Sequence, residues 1–435
     1  MDFRVEPSTV RDAEVTVPGD KSISQRALML GSIARGQTRI SGFLAGEDCL
    51  ATLRAYRQMG VAITQHDATS LTIEGVGLTG LQPPDGDLDL GNSGTAMRLM
   101  AGLLAGQSFD SVLTGDASLT VRPMGRVIAP LTEMGAAIEG DCDGTPPLQI
   151  SGGLRLHGIN YELPIASAQV KSCVLLAGLY ADGQTSVIEP AVTRDHTERM
   201  LAAMGADIAV DGRRVALQCR KPLQGCPIDI PGDLSSAAFV MLAVLLATDA
   251  SVLIRNVGVN PTRTGVIAIL QGMGGNIGLE NARLMGNEPV ADIRVRSSAL
   301  RGGTVDPGLV SLAIDEFPVI FVAAAVADGT TRFAGISELR VKESDRIAAM
   351  ATGLRTLGIT VEESDDGAVV HGGQFAGGRV ESFGDHRIAM SLAIAGTVAG
   401  APVTVCGVDS VATSFPGFAD LMADLGIKVG VESAS

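Results

Sequence analysis

The sequence predicts an α/β protein of two similar lobes, three repeats in each, with helix N-termini facing an interdomain cleft. Three observations lead there. Six segments share one plan along the 435 residues, a length that suits two domains of about 200 residues better than one core. The first and fourth segments open almost identically, Val17-Pro18-Gly19-Asp20-Lys21-Ser22 against Ile230-Pro231-Gly232-Asp233-Leu234-Ser235. Each segment also enters its first helix through a small-residue turn, which leaves unpaired N–H groups and partial positive charge at the helix start.

Within a segment the elements follow in order. The openings are Pro18, Gly91, Pro164, Pro231, Asp315 and Gly384. An Ala/Leu/Met-rich helix comes next, then a glycine turn and a β-branched strand. A second helix ends in Met-Gly or Leu-Gly, at Gly60, Gly135, Gly205, Gly274, Gly358 and Gly426, each about 41 to 44 residues from its opening. Glycine suits that site because helices commonly end on a left-handed residue. Another strand closes the segment. The duplicated opening divides the chain into residues 20–231 and residues 1–19 plus 232–435, with a hinge near Gly19 and Gly232. The first strand, within residues 3 to 17, then belongs to the second lobe.

Composition excludes several classes. The 46% hydrophobic and 19% charged content is that of a globular chain. A net charge of −15 argues against a nucleic-acid or anionic-membrane surface. No Trp and only three Tyr leave no base-stacking platform. Met1-Asp2-Phe3-Arg4-Val5-Glu6 carries charges where a signal peptide needs an apolar run. The longest apolar stretches, Ala237 to Ala247 and Val319 to Ala327, fall short of the ~20 residues of a spanning helix. Cys49, Cys142, Cys173, Cys219, Cys226 and Cys406 lack the spacing of a zinc site or a disulfide framework. The expectation is a soluble cytoplasmic monomer with free thiols. If its ligands are anions, basic residues must gather locally against the global charge.

They gather in short motifs. Gly19-Asp20-Lys21-Ser22-Ile23-Ser24-Gln25-Arg26 sets Lys21, Ser22 and Arg26 on the first turns of a helix, with Ala27, Leu30 and Ala34 toward a core. An isolated Lys-Ser pair there reads better as a capped, solvated helix, but the added arginine favours phosphate. Gly91-Asn92-Ser93-Gly94-Thr95-Ala96-Met97-Arg98 is a glycine-rich turn into a helix, without the Lys-Ser/Thr of a nucleotide P-loop. Arg122 comes from a loop ahead of a helix. Ser167 and Gln169, in Ala166-Ser167-Ala168-Gln169-Val170-Lys171-Ser172, can bond hydroxyls or phosphate, with Val170 and Leu175 buried. Arg194-Asp195-His196-Thr197-Glu198 opens another helix, and His196 reads as structural rather than as a base.

Acid–base candidates lie in the second half. Asp315 precedes the most apolar helix of that half, in Asp315-Glu316-Phe317-Pro318, and on this motif alone an N-cap and a chemical role are equally good readings. Glu338-Leu339-Arg340-Val341-Lys342-Glu343-Ser344-Asp345-Arg346 is dense in charge, with Lys342 and Arg346 spaced to share one helix face. A solvated helix explains the alternation, though not the placement directly after a strand. Gly384-Asp385-His386-Arg387 supplies one more arginine at a helix start.

Taken in this order, GDKSISQRA, GNSGTAMR, RPMGR, ASAQVKS, DEFP, LRVKESDR, GDHRIAM and TSFP resemble the 5-enolpyruvylshikimate-3-phosphate (EPSP) synthase family over nearly the whole chain. The resemblance implies βαβαββ repeats, lobes that close over shikimate 3-phosphate and phosphoenolpyruvate, and no metal or organic cofactor. It assigns Lys21, Ser22, Arg26, Ser167, Ala168, Gln169, Arg194, Asp315 and Lys342 to shikimate 3-phosphate. It assigns Lys21, Gly94, Arg122, Gln169, Glu343, Arg346 and Arg387 to phosphoenolpyruvate. Lys21, Asp315 and Glu343 carry the catalysis in that reading. Leu99 where a proline is usual, Ala168 where a second serine is common, and Thr413 in place of a lysine are similar to the second, often glyphosate-tolerant class. Gly94 departs from that class, which often has alanine there.

Two other readings compete. The sister enolpyruvyl transferase acting on UDP-N-acetylglucosamine typically has a reactive cysteine before its Arg-Pro pair. The corresponding loop here reads Gly115-Asp116-Ala117-Ser118-Leu119. A non-catalytic anion-binding protein of the same architecture is disfavoured by the retained Asp315 and Glu343.

Overall fold

Six helices begin where the small-residue turns end, and each is buried nearly all round. They are Lys21–Ile33, Gly94–Leu104, Ala168–Gly178, Leu234–Leu246, Phe317–Val326 and His386–Gly396. Sequences such as Leu-Ser-Ser-Ala-Ala-Phe-Val-Met-Leu carry no polar stripe, so these helices can only be interior. Full burial of a side chain such as Phe321 or Leu242 is worth about 1.5–3 kcal/mol. The second helix of each repeat is different. Glu47–Gln58 exposes Glu47, Arg54, Arg57 and Gln58 and buries Leu53 and Tyr56, as a surface helix does.

A computed structural model of the chain describes residues 1–218 and 221–433; Cys219 lies outside the described residues. It contains six small sheets. The plan is clearest in the sheet ordered 88–89, 111–114, 148–151, 137–139: one parallel pair, then an antiparallel hairpin. Its strands alternate buried and exposed residues, as expected of a sheet with one wet face. In the fifth repeat the parallel strand shrinks to bridges of Arg301 with Asp328 and Thr304 with Arg332, leaving three strands. All six closing glycines adopt positive φ, from +84° to +96°, so each second helix ends on the left-handed turn that the sequence calls for.

The chain divides into two compact units. One is Gly19–Ile230 with Met285–Glu288; the other is Met1–Pro18, Pro231–Leu284 and Pro289–Ser435. Three sheets and three buried helices fall in each. The strand leading into each duplicated opening pairs in the unit that the chain is leaving. Ala13–Thr16 lies parallel to Ser251–Gly258, and Ile228–Asp229 lies parallel to Arg35–Ser41. The one strand expected within residues 3 to 17 is two, Asp2–Val5 and Ala13–Thr16. Met285–Glu288 groups with the first unit rather than the second, and Glu288 Oε1 lies 2.8 Å from His196 Nδ1. His196 is buried there, a structural histidine as its flanking charges imply.

Close helix approach also shapes the first unit. A methyl on Gly102 would sit 2.1 Å from the Cys173 carbonyl oxygen, so only glycine lets Gly94–Leu104 and Ala168–Gly178 pack this tightly. That contact brings the starts of the two helices together. Gly102→Ala would force them apart.

Candidate active site

Asp20 caps the Lys21–Ile33 helix by accepting from the Ile23 N–H at 2.9 Å. The capped turn fixes Lys21, whose Nζ lies 3.0 Å from Asp48 Oδ2. Arg26, one turn on, donates through Nε to Thr197 Oγ1 at 2.7 Å, through NH2 to Ser172 Oγ at 3.0 Å, and through NH1 to the Ser22 carbonyl at 3.1 Å. Burial pulls its guanidinium down to about 10, and the positive charge of Arg194 pushes the same way against Glu198.

Ser93 caps the Gly94–Leu104 helix through the Ala96 N–H. Gln169 spans from the neighbouring helix: its Oε1 accepts from Arg98 NH1 at 2.9 Å and its Nε2 donates to Thr95 Oγ1 at 2.9 Å. Arginine can only donate, so the orientation of that amide is set. Arg122 NH2 donates to Asn92 Oδ1 at 2.9 Å and to Ser118 Oγ at 3.1 Å. Ser167 is the N-cap of Ala168–Gly178, accepting from the Val170 N–H at 3.3 Å, and Ala168 is that helix's first residue. Beneath them Lys171 is buried between Glu189, 2.9 Å away, and Glu198, 2.7 Å away.

The second unit gathers charge more densely. Arg346 is 1% exposed. It donates through Nε to Asp385 Oδ2 at 2.8 Å and through NH2 to Glu343 Oε2 at 2.6 Å, and its NH1 lies 3.5 Å from Asp315 Oδ1. Burial alone would lower its pKa, but Asp385, Glu343 and Asp315 together raise it well above the usual value. NH1 is buried without a hydrogen bond, the sort of donor that a bound anion would satisfy. Lys342 Nζ reaches Asp315 Oδ1 at 3.4 Å. Arg387 NH1 donates to the Asp315 carbonyl at 2.9 Å.

One open alternative closes, and one sequence reading needs correction. Asp315 is not an N-cap; that position belongs to Glu316, which makes no capping bond, and the Asp315 carboxylate turns to Lys342 and Arg346. Lys342 and Arg346 do not share a helix either. Ser337–Val341 is a 3-10 turn, Asp345 caps a new helix at Arg346–Thr356, and Lys342 stands in the break between. The two cations meet on Asp315 because the chain kinks. Sequence reasoning also missed Asp48, Arg98, Asn92, Asp385 and Glu316 as partners. Arg98 was within reach, one turn beyond Gly94 in the Gly91-Asn92-Ser93-Gly94-Thr95-Ala96-Met97-Arg98 motif. Asp48 had no local signal, because only the fold carries it to Lys21.

Among the described residues no group of His, Cys, Asp or Glu is placed to hold a metal ion. No described helix is long and apolar enough to cross a membrane.

Six repeats in two units, with arginines, lysines and carboxylates gathered at buried helix starts, define a protein built to hold anions beside proton-carrying groups. Comparison with known proteins agrees. The family model for EPSP synthase (3-phosphoshikimate 1-carboxyvinyltransferase) matches residues 5–422. The 3-phosphoshikimate 1-carboxyvinyltransferase of Alkalilimnicola ehrlichii is 58% identical over 430 residues, covering 99% of this chain and 96% of that one. That of Methylococcus capsulatus is 56% identical over 429 residues, covering 99% and 98%. The solved EPSP synthase of Acinetobacter baumannii superposes with a TM-score of 0.88 at 50% identity, covering 99% of this chain and all of the other. The chain belongs to the EPSP synthase family.

Proposed function

We propose that this enzyme transfers the enolpyruvyl group of phosphoenolpyruvate to the 5-hydroxyl of shikimate 3-phosphate and releases phosphate. The observation that carries the reading is the convergence of Asp315, Glu343 and Asp385 on Arg346, with Lys342 and Arg387 beside Asp315. It puts carboxylates able to move protons next to cations able to hold a carboxylate or a phosphate.

Asp315 takes the proton of the 5-hydroxyl as its oxygen bonds to the enol carbon. Glu343, with Lys21 as second donor, protonates the methylene carbon, which gives a tetrahedral ketal. Glu343 then removes a proton from the new methyl group, the carbon–phosphate oxygen bond breaks, and phosphate leaves with that electron pair. Lys21, Ser22, Arg26, Ser167, Ala168, Gln169, Arg194, Asp315 and Lys342 hold shikimate 3-phosphate. Lys21, Gly94, Arg122, Gln169, Glu343, Arg346 and Arg387 hold phosphoenolpyruvate. Both substrates are anions that repel each other, and guanidinium forks offset that repulsion while fixing orientation. The roles draw on both units, so shikimate 3-phosphate should lower the radius of gyration by motion about Gly19 and Gly232. An unchanged radius at saturation would remove that hinge.

The direct test is phosphate release with phosphoenolpyruvate and either shikimate 3-phosphate or UDP-N-acetylglucosamine. Release with the first acceptor alone is expected; release only with the second would replace this reading. We further infer the second, often glyphosate-tolerant class, on Leu99, Ala168 and Thr413. Leu99 is fully buried in the Gly94–Leu104 helix, and Thr413 Oγ1 donates to the Ser410 carbonyl, where a lysine would supply a cation. Gly94 leaves room for the inhibitor, so intermediate tolerance is expected. Its measure is the glyphosate inhibition constant against the phosphoenolpyruvate KM.

A further inference from the structure

Glu316 is buried and stands at the N-cap position of Phe317–Val326, yet it caps nothing. A carboxylate removed from water is costly unless it is paired, so its partners matter. Oε1 accepts from Ser235 Oγ, lies 3.4 Å from Arg387 NH1 and 3.7 Å from Arg263 NH2. Arg263, also buried, donates through NH2 to Ser235 Oγ at 2.7 Å and to Asp233 Oδ1 at 3.3 Å. A hydroxyl has one proton to give. Because Arg263 can only donate to Ser235, the proton of Ser235 is committed to Glu316, and Oε1 is left as an acceptor facing Arg387.

The effect falls on Arg387. Its contacts run through NH1, to the Asp315 carbonyl and to Glu316. Its NH2 and Nε carry no contact among the described residues, and neither is a buried, unsatisfied atom. One end of the guanidinium is therefore anchored and the other is left without a hydrogen bond. Arg346 is backed in the same way, by Asp385 on its Nε. Each arginine assigned to phosphoenolpyruvate in this unit thus has a buried carboxylate behind it.

We propose that Glu316, locked by Ser235 and Arg263, is a positioning residue that aims Arg387 at phosphoenolpyruvate. This rests on the assignment of Arg387 to that substrate. Asp233 completes the support: it caps the Leu234–Leu246 helix through the Ser235 N–H while it holds Arg263. Because the group acts through Arg387, its loss should show in the affinity for one substrate and not the other.

The experiment compares Glu316→Gln, Ser235→Ala, Arg387→Lys and the Glu316→Gln/Arg387→Lys double variant in the full chain. The readouts are kcat and the separate KM values for phosphoenolpyruvate and shikimate 3-phosphate. Glu316→Gln should raise the phosphoenolpyruvate KM about tenfold, with kcat and the other KM within about twofold. Ser235→Ala should raise the same KM by about threefold, and it carries the test if Glu316→Gln does not fold. In the double variant Glu316→Gln should add little to the loss caused by Arg387→Lys, because both act on one side chain. Equal rises in both KM values, or full additivity in the double variant, would overturn the role of Glu316. An unchanged phosphoenolpyruvate KM in Arg387→Lys would overturn the assignment of Arg387 itself, and the positioning role with it.

Discussion

In the Gly19–Ile230 unit, Arg26 donates to two hydroxyls and a carbonyl oxygen, whereas in the other unit Arg346 and Arg387 donate to carboxylates. A guanidinium held by neutral oxygens keeps its charge for a ligand. One backed by carboxylates is aimed as firmly but has part of its field cancelled, and the same carboxylates can carry protons. In the proposed reaction the first cluster holds anions, while the second orients one and moves protons. The net charge of −15 makes the first cluster the more telling, since its cations gather against the sign of the whole chain.

Glu343→Gln tests that contrast where the expected effect is largest. The amide oxygen can still accept from Arg346 NH2, now 2.6 Å from the carboxylate, so both substrates should bind. It cannot shuttle a proton, and kcat should fall ~10²–10⁴-fold. Turnover by phosphate release and binding by calorimetry separate the two. Near-normal turnover would remove the proton role assigned to Glu343.

Arg122→Lys asks the converse question of the first cluster. Lysine keeps the charge but loses the fork that reaches Asn92 and Ser118. The phosphoenolpyruvate KM should rise about tenfold while kcat changes by less than about threefold, as loss of uniform binding requires. A fall in kcat equal to the rise in KM would erase the distinction between the clusters.

Gly94→Ala should have a smaller effect on the same arginines. Its methyl would sit 2.9 Å from Arg98 NH1 and 3.1 Å from Arg122 NH1, ends of flexible side chains that can give way. Phosphoenolpyruvate affinity should therefore weaken a few-fold, and glyphosate, the larger molecule, should weaken more. An unchanged ratio of inhibition constant to KM would show that Gly94 does not set access for the inhibitor.

What was legible in the sequence follows from how local each cause is. The six closing glycines show, because a left-handed helix end is a one-residue requirement. Lys21, Arg26 and Arg387 show, because they lie within the first two turns of their helices. The role proposed for Asp315 does not follow from its motif, since Asp-Glu before an apolar helix is equally good grammar for a cap. Only the break at Lys342, which no propensity marks, brings Lys342 and Arg346 onto it. The partnership of Glu316 with Arg263 and Ser235 spans residues far apart in the chain and leaves no local pattern at all.

Lys171, like Lys21 beside Asp48, complicates the contrast, because it is a carboxylate-backed cation inside the first unit. It lies beneath Arg26 rather than beside a ligand, with Thr197 and Ser172 between Arg26 and the Glu198 turn. Burial raises Glu198 above its ordinary value of 4.5, although Lys171 opposes the shift. The sign follows: a carboxyl whose native pKa is raised takes up its proton in the folded state before the unfolded one. Between 4.5 and the higher native value the folded state binds more protons, so this group's contribution to stability falls as pH rises. Wild type should gain relative to Glu198→Gln as the pH is lowered from 7 toward 5. Urea unfolding of both proteins at the two pH values measures it. If the wild-type advantage instead grew with rising pH, Lys171 would be holding Glu198 ionised. The buried pair would then be a working ion pair like those of Arg346, and the contrast would lie in position rather than in kind.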